Sequence, residues 1–222
     1  MMKTINHHPD TATLMSFVAG TLPEPLAAVT AAHVSMCNQC QNELRSLELL
    51  GGVLLQEQHA SALEEEAPPP AGAYSDGDVP DETVELTAAC AQPCSLLPAP
   101  VARHYSLTEE TIPWRRLGPG IWHYQLPLSD GAEGDLRLLK IAAGRKMPEH
   151  GHGGSELTLV LSGAYADETG RYIRGDMQDL DDDIEHQPIA DKDTGCICLV
   201  ASERPAQFKG MVYRIAQYWT GM

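Results

Sequence analysis

Gly144-Arg145-Lys146-Met147-Pro148-Glu149-His150-Gly151-His152-Gly153-Gly154-Ser155-Glu156-Leu157-Thr158-Leu159-Val160-Leu161-Ser162-Gly163 is the stretch that decides the fold. Side chains alternate across a strand, and His150, His152 and Glu156 all stand at even positions. They therefore share a face with Thr158 and Val160, while Leu157, Leu159 and Leu161 point the other way. Glycines at 144, 151, 153 and 154 suit the tight bends that bring backbone close to an ion. A further histidine, His186, follows Gly175. Three histidines and a glutamate are thus placed where a small β-barrel can close them around one metal.

The fixed positions Gly144, His150, His152, Glu156 and Gly163 match the first cupin motif, G-x5-H-x-H-x3-E-x6-G, throughout. The second motif, G-x5-P-x-G-x2-H-x3-N, is kept at Gly175 and His186, but Asp181, Asp183 and Ala190 replace its proline, glycine and asparagine. The segment resembles the cupins. That resemblance implies an all-β, double-stranded β-helix barrel.

The barrel does not account for the whole chain. With 222 residues there is room for two small domains. From about Val101 the sequence reads as short β segments between Gly- and Asp-rich turns: Ile121 to Leu126, Leu136 to Ala142, Glu156 to Leu161, Tyr172 to Arg174, Cys196 to Ala201 and Val212 to Trp219. Residues 11 to 58 read as helical instead. Asp10 or Thr11 can cap a first helix carrying Leu14, Phe17 and Val18. A second helix is predicted from about Glu24 to Met36, and a third from Asn38 through Leu44, Leu47, Leu50 and Leu54. Three such helices enclose only a small core, of the kind that needs a staple. Glu64 to Glu66, Pro68 to Pro70 and the Gly, Ser and Asp that follow to residue 82 have linker composition, and Val79 to Ala91 can form a short fourth helix. The expected division is a helical domain over 1–90, a linker over 91–103 and a barrel over 104–222.

The staple is present in His33-Val34-Ser35-Met36-Cys37-Asn38-Gln39-Cys40. His33 and Cys37 are four apart and share a helix face, and Cys40 opens the next helix. A fourth ligand would close a tetrahedral zinc site, and either His7 or His8, ahead of the first helix, can supply it.

Charge is uneven. Residues 1–110 carry 3 Lys/Arg against 15 Asp/Glu, and residues 111–222 carry 12 against 16, within a net charge of −16. An acidic half binds DNA phosphates poorly and suits a basic protein partner. No apolar run is long enough to span a bilayer, and Met1 to His8 lacks the apolar core of a signal peptide, so a cytoplasmic protein is expected. In a reducing compartment the pairs Cys37/Cys40, Cys90/Cys94 and Cys196/Cys198 suit metal ligands or free thiols better than disulfides. Cys196 and Cys198 fall in phase on one strand, either as oxidant-sensitive thiols near the metal or as core. Cys90 and Cys94 carry no assignable role.

The order of a His8, His33, Cys37, Cys40 segment, an acidic proline-rich connector and a cupin is similar to that of the ChrR-type zinc-binding anti-sigma factors. The resemblance covers nearly the whole chain. It implies that His8, not His7, completes the N-terminal zinc site, and that His150, His152, Glu156 and His186 hold a second metal. Zinc is the implied ion there, although a glutamate ligand also admits iron or manganese. It further implies that the helical half holds an extracytoplasmic-function sigma factor inactive and that the cupin answers singlet oxygen and related oxidants. The competing reading is a cupin enzyme of dioxygenase type with a helical appendage, since one ligand set serves both. No Ser-His-Asp set, phosphate-binding loop or further catalytic base accompanies it.

Overall fold

The structure, a computed structural model, describes residues 4–58, 95–151, 153–181 and 184–204, together with the backbone of 207–208. His152, Cys90, Cys94, the expected helix from Val79 to Ala91, the connector over 64–82 and the expected strand from Val212 to Trp219 lie outside the described residues.

Three helices come first: α1 (Thr11–Val18), α2 (Glu24–Val34) and α3 (Asn38–Glu57). Asp10, not Thr11, caps α1, its Oδ1 accepting from Thr13 N at 2.6 Å. Pro25 stands in the first turn of α2, where a missing N–H costs nothing. A short helix α4 (Ala99–His104) occupies the end of the expected linker and packs against α2.

The strands are β1 (Arg115–Gly118), β2 (Ile121–Gln125), β3 (Asp135–Ile141), β4 (His150–Gly151), β5 (Glu156–Ala166), β6 (Arg171–Ile173), β7 (Met177–Leu180), β8 (Ile189–Ala190), β9 (Cys196–Ser202) and β10 (Gln207–Phe208). One path runs β1-β2-β3-β9-β5-β6, every pairing antiparallel. The long strand β5 bends the sheet into a barrel. Its first half pairs with β9 and β7, a register shift follows between Val160 and Ser162, and its last residues pair with β6 and β8. Gly163, just past that shift, has φ +71°, and an added Cβ would run into the Gly195 carbonyl oxygen. This is the physical reason a glycine ends the first motif.

The two faces of the sheet divide the apolar residues as the alternation predicts. Leu157, Leu159 and Leu161 join Leu136, Leu138, Leu199 and Ala201 on the outer face, and Val160 joins Tyr165, Cys196 and Cys198 within the barrel. What covers the outer face is α2: Leu26, Val29 and Ala32 complete that same cluster. Among the described residues the one large apolar cluster that the helices join is therefore the barrel's, with Leu14 of α1 buried apart from it. The central helix α2 packs on the barrel, while along α3 the leucines pass from half-buried Leu44 and Leu47 to the exposed positions beyond them. Leu50 and Leu54 are 52% and 55% exposed, and among the described residues of α3 only Cys40 is buried. Among the described residues no helix is long and apolar enough to cross a membrane.

Candidate metal centres

The first centre forms where three elements meet. His33 ends α2, Cys37 caps α3, Cys40 lies in its first turn, and His8 arrives on the extended segment before α1. Their ligand atoms lie within 4.8 Å of one another. His33 Nε2 is 3.3 Å from Cys40 Sγ, and His8 Nδ1 is 3.4 Å from the Sγ atoms of both Cys37 and Cys40. Tetrahedral zinc with ordinary bond lengths separates N from S by about 3.6 Å, so these three N–S separations are close to what one ion requires. Burial, and then His8, pushes the His33 pKa down to about 4, while burial followed by Cys37 pushes the Cys40 thiol up to about 12. A buried divalent cation reverses the second preference by pairing with the thiolate. The donors fit zinc. His7, the other N-terminal candidate, turns away and packs tilted against Tyr172 with ring centroids 4.5 Å apart.

The second centre lies in the barrel. His150 on β4 and His186 opposite it exchange backbone hydrogen bonds, N to O at 3.2 Å and 3.1 Å. That pairing holds their Nε2 atoms 3.3 Å apart. Two imidazole nitrogens on one tetrahedral ion stand about 3.3 Å apart. Glu156, first residue of β5, brings its carboxylate within 4.8 Å of both, and all three residues are buried. The structure thus joins three of the four expected ligands; His152 lies outside the described residues. Two nitrogens and a carboxylate suit zinc, iron or manganese.

The non-ligating nitrogens are fixed as well. His150 Nδ1 donates to Pro148 O at 2.9 Å, and His186 Nδ1 donates to Asp167 Oδ2 at 2.8 Å, leaving both Nε2 atoms as acceptors. Asp167 also accepts from Thr169 N and Oγ1 at 2.9 and 2.6 Å and from Gln178 Nε2 at 2.8 Å. Burial alone would raise its pKa, but the bonds from His186, Thr169 and Gln178 outweigh burial and hold it well below the usual carboxylate range. Gln178 Oε1 accepts from the buried Tyr165 hydroxyl at 2.7 Å. None of Asp167, Gln178 and Tyr165 was legible as a site residue. Asp167-Glu-Thr-Gly170 reads as a turn, which it is, and no spacing rule ties that turn to His186. The second motif's lost proline, glycine and asparagine do not displace His186: Ala190 is buried in β8, its N–H bonded to Arg145 O at 2.9 Å.

Cys196 and Cys198 share the inward face of β9, their Sγ atoms 3.1 Å apart and both residues 3% exposed. They pack with Val160 and Tyr165, as the core reading expects. The bond with Cys196, then burial, raises the Cys198 thiol well above its ordinary range.

Comparison with known proteins meets this geometry. Residues 103–205 match the ChrR cupin-like domain. The anti-sigma-E factor ChrR of Cereibacter sphaeroides is 37% identical over 214 residues, covering 96% of this chain and 97% of the relative. The chain belongs to the ChrR family. The likeness extends to both halves in three dimensions. The crystal structure of Rhodobacter sphaeroides SigE in complex with the anti-sigma ChrR matches with a TM-score of 0.70 and 39% identity, over 90% of this chain and 100% of that one. An RmlC-like cupin from Ralstonia eutropha is 17% identical with a TM-score of 0.41, over 47% of this chain and 71% of its own. Both of these matches over nine-tenths or more of the chain carry the name of an anti-sigma factor.

Proposed function

We propose that this ChrR-family protein binds and inhibits an extracytoplasmic-function sigma factor through its helical half and releases it when the barrel meets singlet oxygen or a peroxide-type oxidant. One observation carries the binding half of this reading. Leu49, Leu50, Val53 and Leu54 are each at least 52% exposed. At 100° per residue they form one stripe about 140° wide along α3. A contiguous apolar stripe on an otherwise acidic half is a docking surface in want of a partner. The family's solved relative is a sigma complex, and that supplies the partner's class.

Zinc on His8, His33, Cys37 and Cys40 ties the start of α3 to α2 and to the N-terminal segment, so it sets the direction in which the stripe points. In the barrel, His150, His152, Glu156 and His186 would hold zinc, with iron or manganese the other ions this donor set accepts. A bound cation there supplies a positive centre and exchangeable coordination positions. The closed Cys/His site offers none, and this favours the barrel for first contact with the oxidant.

Co-expression with the host's alternative sigma factors, followed by affinity capture and transcription with purified RNA polymerase, tests the reading. One such factor should be retained and its promoter silenced. Substituting Glu156→Ala should leave silencing intact and abolish release by oxidant. Failure to silence any alternative sigma factor would remove the regulatory reading and bring the cupin-enzyme reading forward.

A further inference from the structure

The two centres share one strand. Gln178, on β7, reaches into the barrel and donates to Asp167 at 2.8 Å, which in turn accepts from His186. The residues immediately before Gln178 face the other centre. Gly175 O accepts from His33 Nδ1 at 3.0 Å, fixing the tautomer that presents His33 Nε2 to Cys40. The Asp176 carboxylate, 1% exposed, accepts from Asn6 N at 2.8 Å and His7 N at 3.2 Å, and Met177 N donates to His7 O at 3.1 Å. His8 is the next residue along. Two of the four Cys/His donors are therefore positioned by three consecutive residues of the barrel.

A second route runs beside the first. The His7 ring packs on Tyr172, Tyr172 stacks on Tyr165 at 5.0 Å, and the Tyr165 hydroxyl donates to Gln178 Oε1. Both routes converge on Gln178. Packed, hydrogen-bonded groups of this kind do not deform gradually: releasing His186 takes one of the two donors from Asp167 Oδ2, and the bond that Gln178 makes to the same oxygen must readjust with it.

We propose that Asp167 and Gln178 are positioning residues common to both centres, and that β7 with its lead-in, Gly175 to Gln178, makes metal retention at the Cys/His site depend on occupation of the barrel. The inference needs both sites to take metal, but it does not need the partner to be a sigma factor. Outer-sphere partners of ligating histidines are worth about 10- to 100-fold in metal affinity. Coupling between sites is reciprocal, so emptying either site weakens the other by the same factor.

The test uses the full chain loaded with cobalt(II) alone. Cobalt on thiolates shows charge-transfer absorption that cobalt on imidazole and carboxylate lacks, so the Cys/His site is followed by itself during chelator competition. In the near-isosteric Glu156→Gln chain the chelator concentration that half-empties the Cys/His site should fall about tenfold relative to the parent. Gln178→Met, which leaves both ligand sets intact, should produce a similar fall. The double variant should lose no more than either single one, because both break the same link. A midpoint in Glu156→Gln within about twofold of the parent, or losses that multiply in the double variant, would overturn the coupling. A parent chain that takes up a single equivalent of cobalt would overturn the two-metal reading, and the coupling with it.

Discussion

Truncating the α3 stripe separates binding from folding. Leu50 and Leu54 keep 52% and 55% of their surface in water. Fully burying a leucine side chain is worth about 1.5–3 kcal/mol, so covering the exposed half of each under a partner gains about 1 kcal/mol apiece. Leu50→Ala with Leu54→Ala should therefore cost about 2 kcal/mol of binding, a weakening of about 30-fold in Kd. The free protein should scarcely notice. Exposed substitutions of this kind move stability by about 0.5 kcal/mol or less, and alanine is a better helix former than leucine. Glu48, on the opposite side of α3, is the control, and Glu48→Ala should bind as the parent does. Titration calorimetry with the sigma factor retained in affinity capture gives the constants, and thermal unfolding of the free chain gives the stability. If the double variant binds within threefold of the parent while folding normally, the stripe is not the docking surface.

Cys37→Ser or Cys40→Ser should release one equivalent of zinc and loosen the junction of α2 with α3, read by metal analysis and by hydrogen exchange in residues 33–40; a full metal complement in the variant would refute the assignment. Gly175→Ala places a Cβ 2.7 Å from Ile5 Cγ1 at a residue whose φ is +91°. About 1–3 kcal/mol of stability should be lost, visible as a Tm lowered by about 2–10 °C. Val29 and Leu26 seal the outer face of the sheet, so a fragment starting at residue 101 should expose Leu136, Leu138, Leu157, Leu159 and Leu161 and self-associate in ultracentrifugation, whereas the full chain should not. Burial would raise the Asp176 pKa, but bonds from the backbone of Ile173, Asn6 and His7 outweigh it and hold it below the ordinary carboxylate value. A depressed carboxylate stabilises fully above its unfolded pKa and is lost as pH falls through the folded value. Protection of the Asn6 and His7 amides should hold from neutral pH down to about pH 4 and fail only below it. Asp176→Ala should remove it at every pH.

Local chemistry made much of this protein readable from its sequence. Alternation along residues 156–161 is a property of any strand, so the division of Glu156, Thr158 and Val160 from Leu157, Leu159 and Leu161 followed from residue order alone, whereas His150, expected on the same strand as Glu156, stands on the separate strand β4. His33 and Cys37, expected on one helix face, meet across a turn instead: α2 ends at Val34 and Cys37 is the extended cap of α3, its N–H still bonded to His33 O at 3.0 Å. Of the six strands expected, five appear within a residue or two of the expected bounds, except that β5 runs on to Ala166, and the sixth lies outside the described residues. The tertiary structure decided everything that depended on two distant segments meeting. β7 went unseen because Met177-Gln-Asp-Leu180 has no apolar alternation; its polar residues are used, Gln178 by Asp167 and Asp179 by Thr13 Oγ1 at 2.8 Å. Leu50 and Leu54 continue the period of a buried helix begun by half-buried Leu44 and Leu47 yet face water, because α2 is taken up by the sheet. Periodicity reports which side of an element is apolar, never what covers it. Spacing alone left His7 and His8 equal, since both precede the same helix, and beyond the family resemblance the physical reason is tertiary: Asp176 and Met177 hold the backbone at residues 6 and 7, with one ring turned toward the cysteines and the other onto Tyr172.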